Sequence, residues 1–94
     1  DGSMVYTNAD TTPDVRFAER MIITNSGAIT ITDFDNGHEG QILTLMFTDA
    51  NTTISRANCK LDAGAPFVSA AHAVLILINR SGLWYQMNTV PTNS

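Results

Sequence analysis

A single cysteine in 94 residues removes the usual staple of a small domain, because Cys59 has no partner in the chain with which to form a disulfide. Metal is no readier a substitute: His38 and His72 are the only imidazoles, and neither lies in a ligand motif. Basic residues are equally sparse. Arg16, Arg20, Arg56, Lys60 and Arg80 are scattered through a chain of net charge −4, which argues against nucleic acid as a partner. The longest apolar stretch, residues 70–78, is interrupted by His72 and is far short of a membrane span. No stretch reads as a signal peptide, and no nucleophile motif is present.

What remains must be held by burial. A domain of this length buries roughly 60–70% of its unfolded surface, so association with other subunits is the expected extra support. Gly2-Ser3-Met4 reads as an engineered junction, and residues 1–12 as a polar, flexible lead-in to a single domain over 13–94. On that reading the piece was cut from something longer. Asn51-Thr52-Thr53 and Asn79-Arg80-Ser81 fit the glycosylation sequon, as expected by chance in a chain rich in Asn, Thr and Ser.

Helical periodicity is missing over any long window, and β-branched residues dominate. Val15, Phe17 and Met21-Ile22-Ile23 suggest a first strand or pair of strands before the turn at Asn25-Ser26-Gly27. Ile29 and Ile31 alternate with threonines as in a half-buried strand. Over 41–48, Leu43, Leu45 and Phe47 share one side and Ile42, Thr44 and Met46 the other. Short strands centred on Ile54 and Leu61 follow, then an edge piece over 67–69. No internal repeat stands out.

The clearest element is the final hairpin, residues 73–80 and 83–90 around Ser81-Gly82. A two-residue loop places Ile78 opposite Tyr85, Ile76 opposite Met87 and Val74 opposite Thr89, which we expect to form the core stripe. The other face pairs Asn79 with Trp84, Leu77 with Gln86 and Leu75 with Asn88. Leu75 and Leu77 are too apolar for water, so this second face, with Trp84, is the expected subunit contact. Seven or eight short strands with turns between them indicate an all-β, antiparallel sandwich of jelly-roll type.

Candidate chemistry is thin. Asp33, Asp35, Asn36 and Glu39 lie close enough for calcium, but the glycine comes one place early for an EF-hand and no distal Glu follows. A solvated turn is the simpler reading. The carboxylates share one short loop with no sign of a cleft, so glycoside cleavage is not expected. Cys59 beside Lys60 reads as an ordinary strand residue. Trp84, with Asn79 and Gln86 beside it, is the candidate platform for stacking a sugar ring.

Several segments together resemble a known module. Thr30-Ile31-Thr32-Asp33-Phe34, Gly37-His38-Glu39-Gly40-Gln41 and Ile42-Leu43-Thr44-Leu45-Met46-Phe47 are followed by Asn51-Thr52-Thr53-Ile54 and Asn58-Cys59-Lys60-Leu61. Phe67, the strand over 73–78 and Gly82-Leu83-Trp84-Tyr85 complete the series. Their order and spacing over roughly residues 13–90 resemble the C-terminal module of bacteriophage tailspikes and related β-helical tail proteins. Cys59 takes a position usually polar there, and Gln86-Met87-Asn88 replaces a short basic ending. The resemblance implies a homotrimeric β-sandwich capping a fibrous stalk on the virion tail, assembled in the host cytoplasm and then exposed outside the cell. It also implies that polysaccharide-degrading activity lies upstream, while the end module trimerises, stabilises, or touches a bacterial surface glycan. No catalytic residue, cofactor or metal is expected in the module itself. A carbohydrate-binding module is the alternative.

Overall fold

The computed structural model describes residues 4–7, 9–16, 18–61 and 64–87. Among them there is no helix, and nine strands follow in order: β1 (Met4–Thr7), β2 (Arg20–Ile23), β3 (Ile29–Ile31), β4 (Ile42–Phe47), β5 (Thr52–Ile54), β6 (Cys59–Lys60), β7 (Phe67–Val68), β8 (Val74–Arg80) and β9 (Leu83–Gln86). They form a six-stranded sheet, β1-β2-β4-β8-β9-β6, and a three-stranded sheet, β3-β5-β7. The protein is therefore all-β with two sheets. Strands appear where the sequence alternates, and the breaks fall at Asn25-Ser26-Gly27, Asp35-Asn36-Gly37 and Ser81-Gly82.

The expected antiparallel order holds only in part. β4–β8, β8–β9 and β5–β7 are antiparallel, while β1–β2, β2–β4, β3–β5 and β6–β9 are parallel. Both sheets are mixed. Three of the parallel pairs, β1–β2, β2–β4 and β3–β5, have a common origin: the chain winds so that each turn lies on the last, while β6 lies at the sheet edge beside β9. Met4 pairs with Arg20, Arg20 with Thr44, and Ile29 with Thr52. A third side is stacked too, through the Asp14–Asp35 bridge. There Asp35 N donates to Pro13 O at 2.8 Å and Val15 N to Asp35 O at 2.9 Å. Thr32 N donates to Thr11 O at 2.9 Å, and Ser55 N to Ile31 O at 2.9 Å. Backbone groups on all three sides of the coil are thus satisfied by the neighbouring coil, as burial requires. The β1-β2-β4 and β3-β5 ladders then end against an antiparallel strand, β8 in one sheet and β7 in the other.

The interior follows from this stacking. Met21, Leu45 and Leu75 occupy one file across β2, β4 and β8, and Ile23 lies beside Phe47. All five are buried, with Ile31 and Ile54 stacked in the second sheet and Val15, Ala18 and Phe34 closing the third side. β1 falls within the stretch expected to be a lead-in, of which residues 1–3 and 8 lie outside the described residues. Met-Val-Tyr-Thr favours extended backbone, and β2 offers it a parallel edge. Four residues gave too short a pattern to stand out in the sequence.

One buried amide ties three coils together. Asn25, at the bend after β2, accepts from Ala9 N at 2.6 Å through Oδ1 and donates to Thr52 Oγ1 at 2.7 Å through Nδ2. Its backbone N donates to Asp49 Oδ2 at 2.9 Å, and its carbonyl accepts from Asn51 Nδ2 at 2.7 Å. The amides of Asn25 and Asn51 hold the Asp49 carboxyl below its ordinary value. Its contribution to stability is therefore complete at neutral pH and is lost as pH falls through that lowered value. Asn25→Ala should cost about 2 kcal/mol or more, because each buried polar group left unpaired costs ~1–3 kcal/mol. Urea unfolding checks this: the midpoint should fall while the slope is unchanged, and an unshifted midpoint would show that the node does not bind the coils.

Candidate functional site

The final hairpin has the register expected of it. Ser81 and Gly82 both take positive φ, 55° and 82°, which suits a two-residue type I′ turn. Ile78 lies opposite Tyr85, Asn79 opposite Trp84 and Leu77 opposite Gln86. Met87 N donates to Ile76 O at 2.7 Å, extending the same register. The partners expected for Leu75 and Val74, Asn88 and Thr89, lie outside the described residues.

The faces are the reverse of those expected. Leu75 and Leu77 are wholly buried within the chain, so they cannot form a subunit contact. Their inward direction is set by β4, where Leu43 pairs with Leu77 and Leu45 with Leu75. Trp84 is 1% exposed and Asn79 is also buried, while Gln86 is half-buried on the same inward side. These three residues therefore offer no open platform to a sugar ring. Trp84 meets the Phe34 ring edge-on, with centroids 5.7 Å apart. Gly37 covers it so closely that a Cβ there would sit 2.5 Å from Trp84 Cζ2 and 3.1 Å from Asn79 Nδ2. The loop over 33–39, expected to be a solvated turn, is thus the lid over the tryptophan. Within it, Asp33 Oδ1 accepts from Phe34 N and Glu39 Oε1 from Ser81 N, both at 2.8 Å. The buried Asn79 also makes its sequon a chance match.

The stripe expected in the core is instead the outer face of the six-stranded sheet. Ile42 is 47% exposed, Val74 40%, Tyr85 37% and Met87 53%, with Ile76 and Ile78 half-buried between them. Cross-strand pairing makes them one surface, since Ile42, Ile78 and Tyr85 form a single row. Pairing β4 with β8 in the sequence would have revealed it. Leu43, Leu45 and Phe47 mark the buried side of β4, and that choice fixes the buried side of β8.

At one end this face runs into a groove of about 670 Å³ between the bends at 16–20 and 38–44, lined by Arg16, Arg20, His38 and Thr44 among others. A buried Gln41 builds its floor. Gln41 Nε2 donates to Val15 O at 2.7 Å and to Ala18 O at 2.8 Å, and Oε1 accepts from His38 N at 3.2 Å. Nothing local in the sequence marks this groove, because its walls are at least 18 positions apart. Cys59 takes no part in it. It is buried, and burial first, then the nearby Asp33 charge, push its thiol up to about 12, leaving it a poor nucleophile. His72 is exposed in a left-handed turn, φ 71°, where its amide donates to Phe47 O at 2.8 Å.

Comparison with protein-family models, with curated proteins and with solved structures found no match to this chain. Gly37→Ala should lower stability by about 1–3 kcal/mol through overpacking against Trp84. Gly27→Ala, where nothing lies within 4 Å, should be close to neutral. Thermal melts of the two variants, with tryptophan fluorescence as the second readout, distinguish them. Equal behaviour would mean that the lid over Trp84 is slack.

Proposed function

We propose that this chain is the terminal module of a bacteriophage β-helical tail protein, closing the stalk and associating as a homotrimer. One observation carries the reading: parallel coils stack on three sides, and the β1-β2-β4 and β3-β5 ladders then stop against the antiparallel strands β8 and β7. That is how a stack of coils would be ended with its last coil covered in both sheets. The broad apolar outer face gives a small domain a surface on which to associate. The setting is the virion tail, and any polysaccharide-degrading activity belongs to a region upstream. Sedimentation equilibrium of the native chain at micromolar concentration should give three times the chain mass. A stable monomer would overturn the trimer.

A second reading, carbohydrate binding, is favoured by the groove rather than by Trp84. Arg16 and Arg20 outnumber Glu19 among the charged lining residues and can meet a carboxylate, while Thr44 and nearby backbone meet hydroxyls. The ligand class is then an acidic saccharide of a bacterial surface. Calorimetric titration with a uronic-acid oligosaccharide should show binding that Arg16→Ala weakens by about tenfold or more. No heat with acidic or neutral oligosaccharides would end this reading.

A further inference from the structure

We propose that the outer face of the six-stranded sheet docks on the acid-lined edge of a second copy, head to tail. The inference rests on the self-association proposed above and specifies its geometry.

Size comes first. Four neighbouring strands about 4.8 Å apart, each with about three outward residues some 6.8 Å apart, give a patch of roughly 400 Å². That is the size of the largest apolar patch on a typical monomer, which is often functional. A stable interface takes about 800 Å² from each partner, so the apolar centre supplies only half and its rim must contribute.

The rim is cationic. Arg20 on β2, Lys60 on β6 and Arg80 on β8 are exposed on the same outward side, by the pairings Arg20–Thr44, Lys60–Tyr85 and Arg80–Leu83. None of the nine strands contains an Asp or Glu. Among the described residues, Glu19 immediately precedes β2, and Glu39 is held by the Ser81 amide. Three of the five basic residues of a chain with nine acidic ones therefore surround this single face. A two-fold, face-to-face pairing would set six cations around one apolar patch with no carboxylate on either strand surface. Like charges so placed oppose association.

The complement lies on another side of the same molecule. Coil stacking brings Asp14 beside Asp35, with Asp10 and Asp33 flanking them on the same two passes. Asp10, Asp14 and Asp35 are exposed, and Arg16 is the one basic side chain nearby in sequence. This edge is the third side of the coil, separate from the sheet face, so one copy can use both surfaces at once. A contact between two different patches is heterologous, and it closes into a ring when the rotation permits. A trimer is one such ring.

Two variants test this in the 94-residue chain by light scattering. The first carries Asp14→Lys and Asp35→Lys on the edge, and the second carries Ile42→Lys and Met87→Lys on the face, all at exposed positions. Each variant alone should remain monomeric where the native chain assembles. Their equimolar mixture should form a 1:1 dimer, because one intact face and one intact edge remain. That mixed dimer also shows that both variants are folded. If the edge variant assembles like the native chain, or the mixture stays monomeric, head-to-tail docking is overturned while a trimer of other geometry stands. A monomeric native chain overturns both.

Discussion

The structure depends on the buried amide of Asn25. The parallel coil brings residues 9, 25 and 52 to one corner, where Asn25 and Thr52 are buried and their polar groups need partners within the protein. Asn25 satisfies that corner through all four of its hydrogen-bonding functions, two in the side chain and two in the backbone. Asp49 and Asn51 extend the node to the next bend. An apolar residue there would leave buried groups unpaired, at a cost that a core of this size could not readily offset. Gln41 does similar work at the opposite corner, fastening the bend at 15–18 to the start of β4.

With the corners fixed, the rest of the architecture follows. Coils held in parallel register stack like upon like, so Met21, Leu45 and Leu75 fall into one file and Ile31 meets Ile54. The stack has to end. β8 and β7 end it by running against the last coil, and β8 also carries the hairpin whose inner side holds Trp84. Phe34 and Gly37 seal the tryptophan from above. The outer surface of the sheet is what this packing leaves over. Its apolar centre and basic rim are therefore properties of the stack as a whole and not of any one segment.

Much of the fold was legible in the residues. Alternation at 29–31 and 42–47 located β3 and β4, and Ser81-Gly82 set the hairpin register, because a two-residue turn allows little else. Other features were hidden for identifiable reasons. The coil offsets differ, with Met4 stacked 16 positions before Arg20 and Arg20 24 before Thr44, so no fixed period marks the repeat. β1 is four residues long. Asn25 looked like a turn former, and it is one, but its burial depends on Ala9 and Thr52 arriving from distant parts of the chain. Arg16, Arg20 and His38 likewise form a groove only after β2 lies beside β4.

By itself, then, the sequence determined that the protein is all-β, where most strands and turns fall, and which residues share a face of the hairpin. The pleat dictates that much locally, since side chains alternate with period two. Only the tertiary structure decided which face is inside. Ile76, Ile78 and Tyr85 are as apolar as Leu75, Leu77 and Trp84, and the choice was made by β4 pairing with β8 and by Phe34 and Gly37 closing over Trp84. Parallel order was also decided there, because such pairs join residues far apart in the chain and leave no local mark.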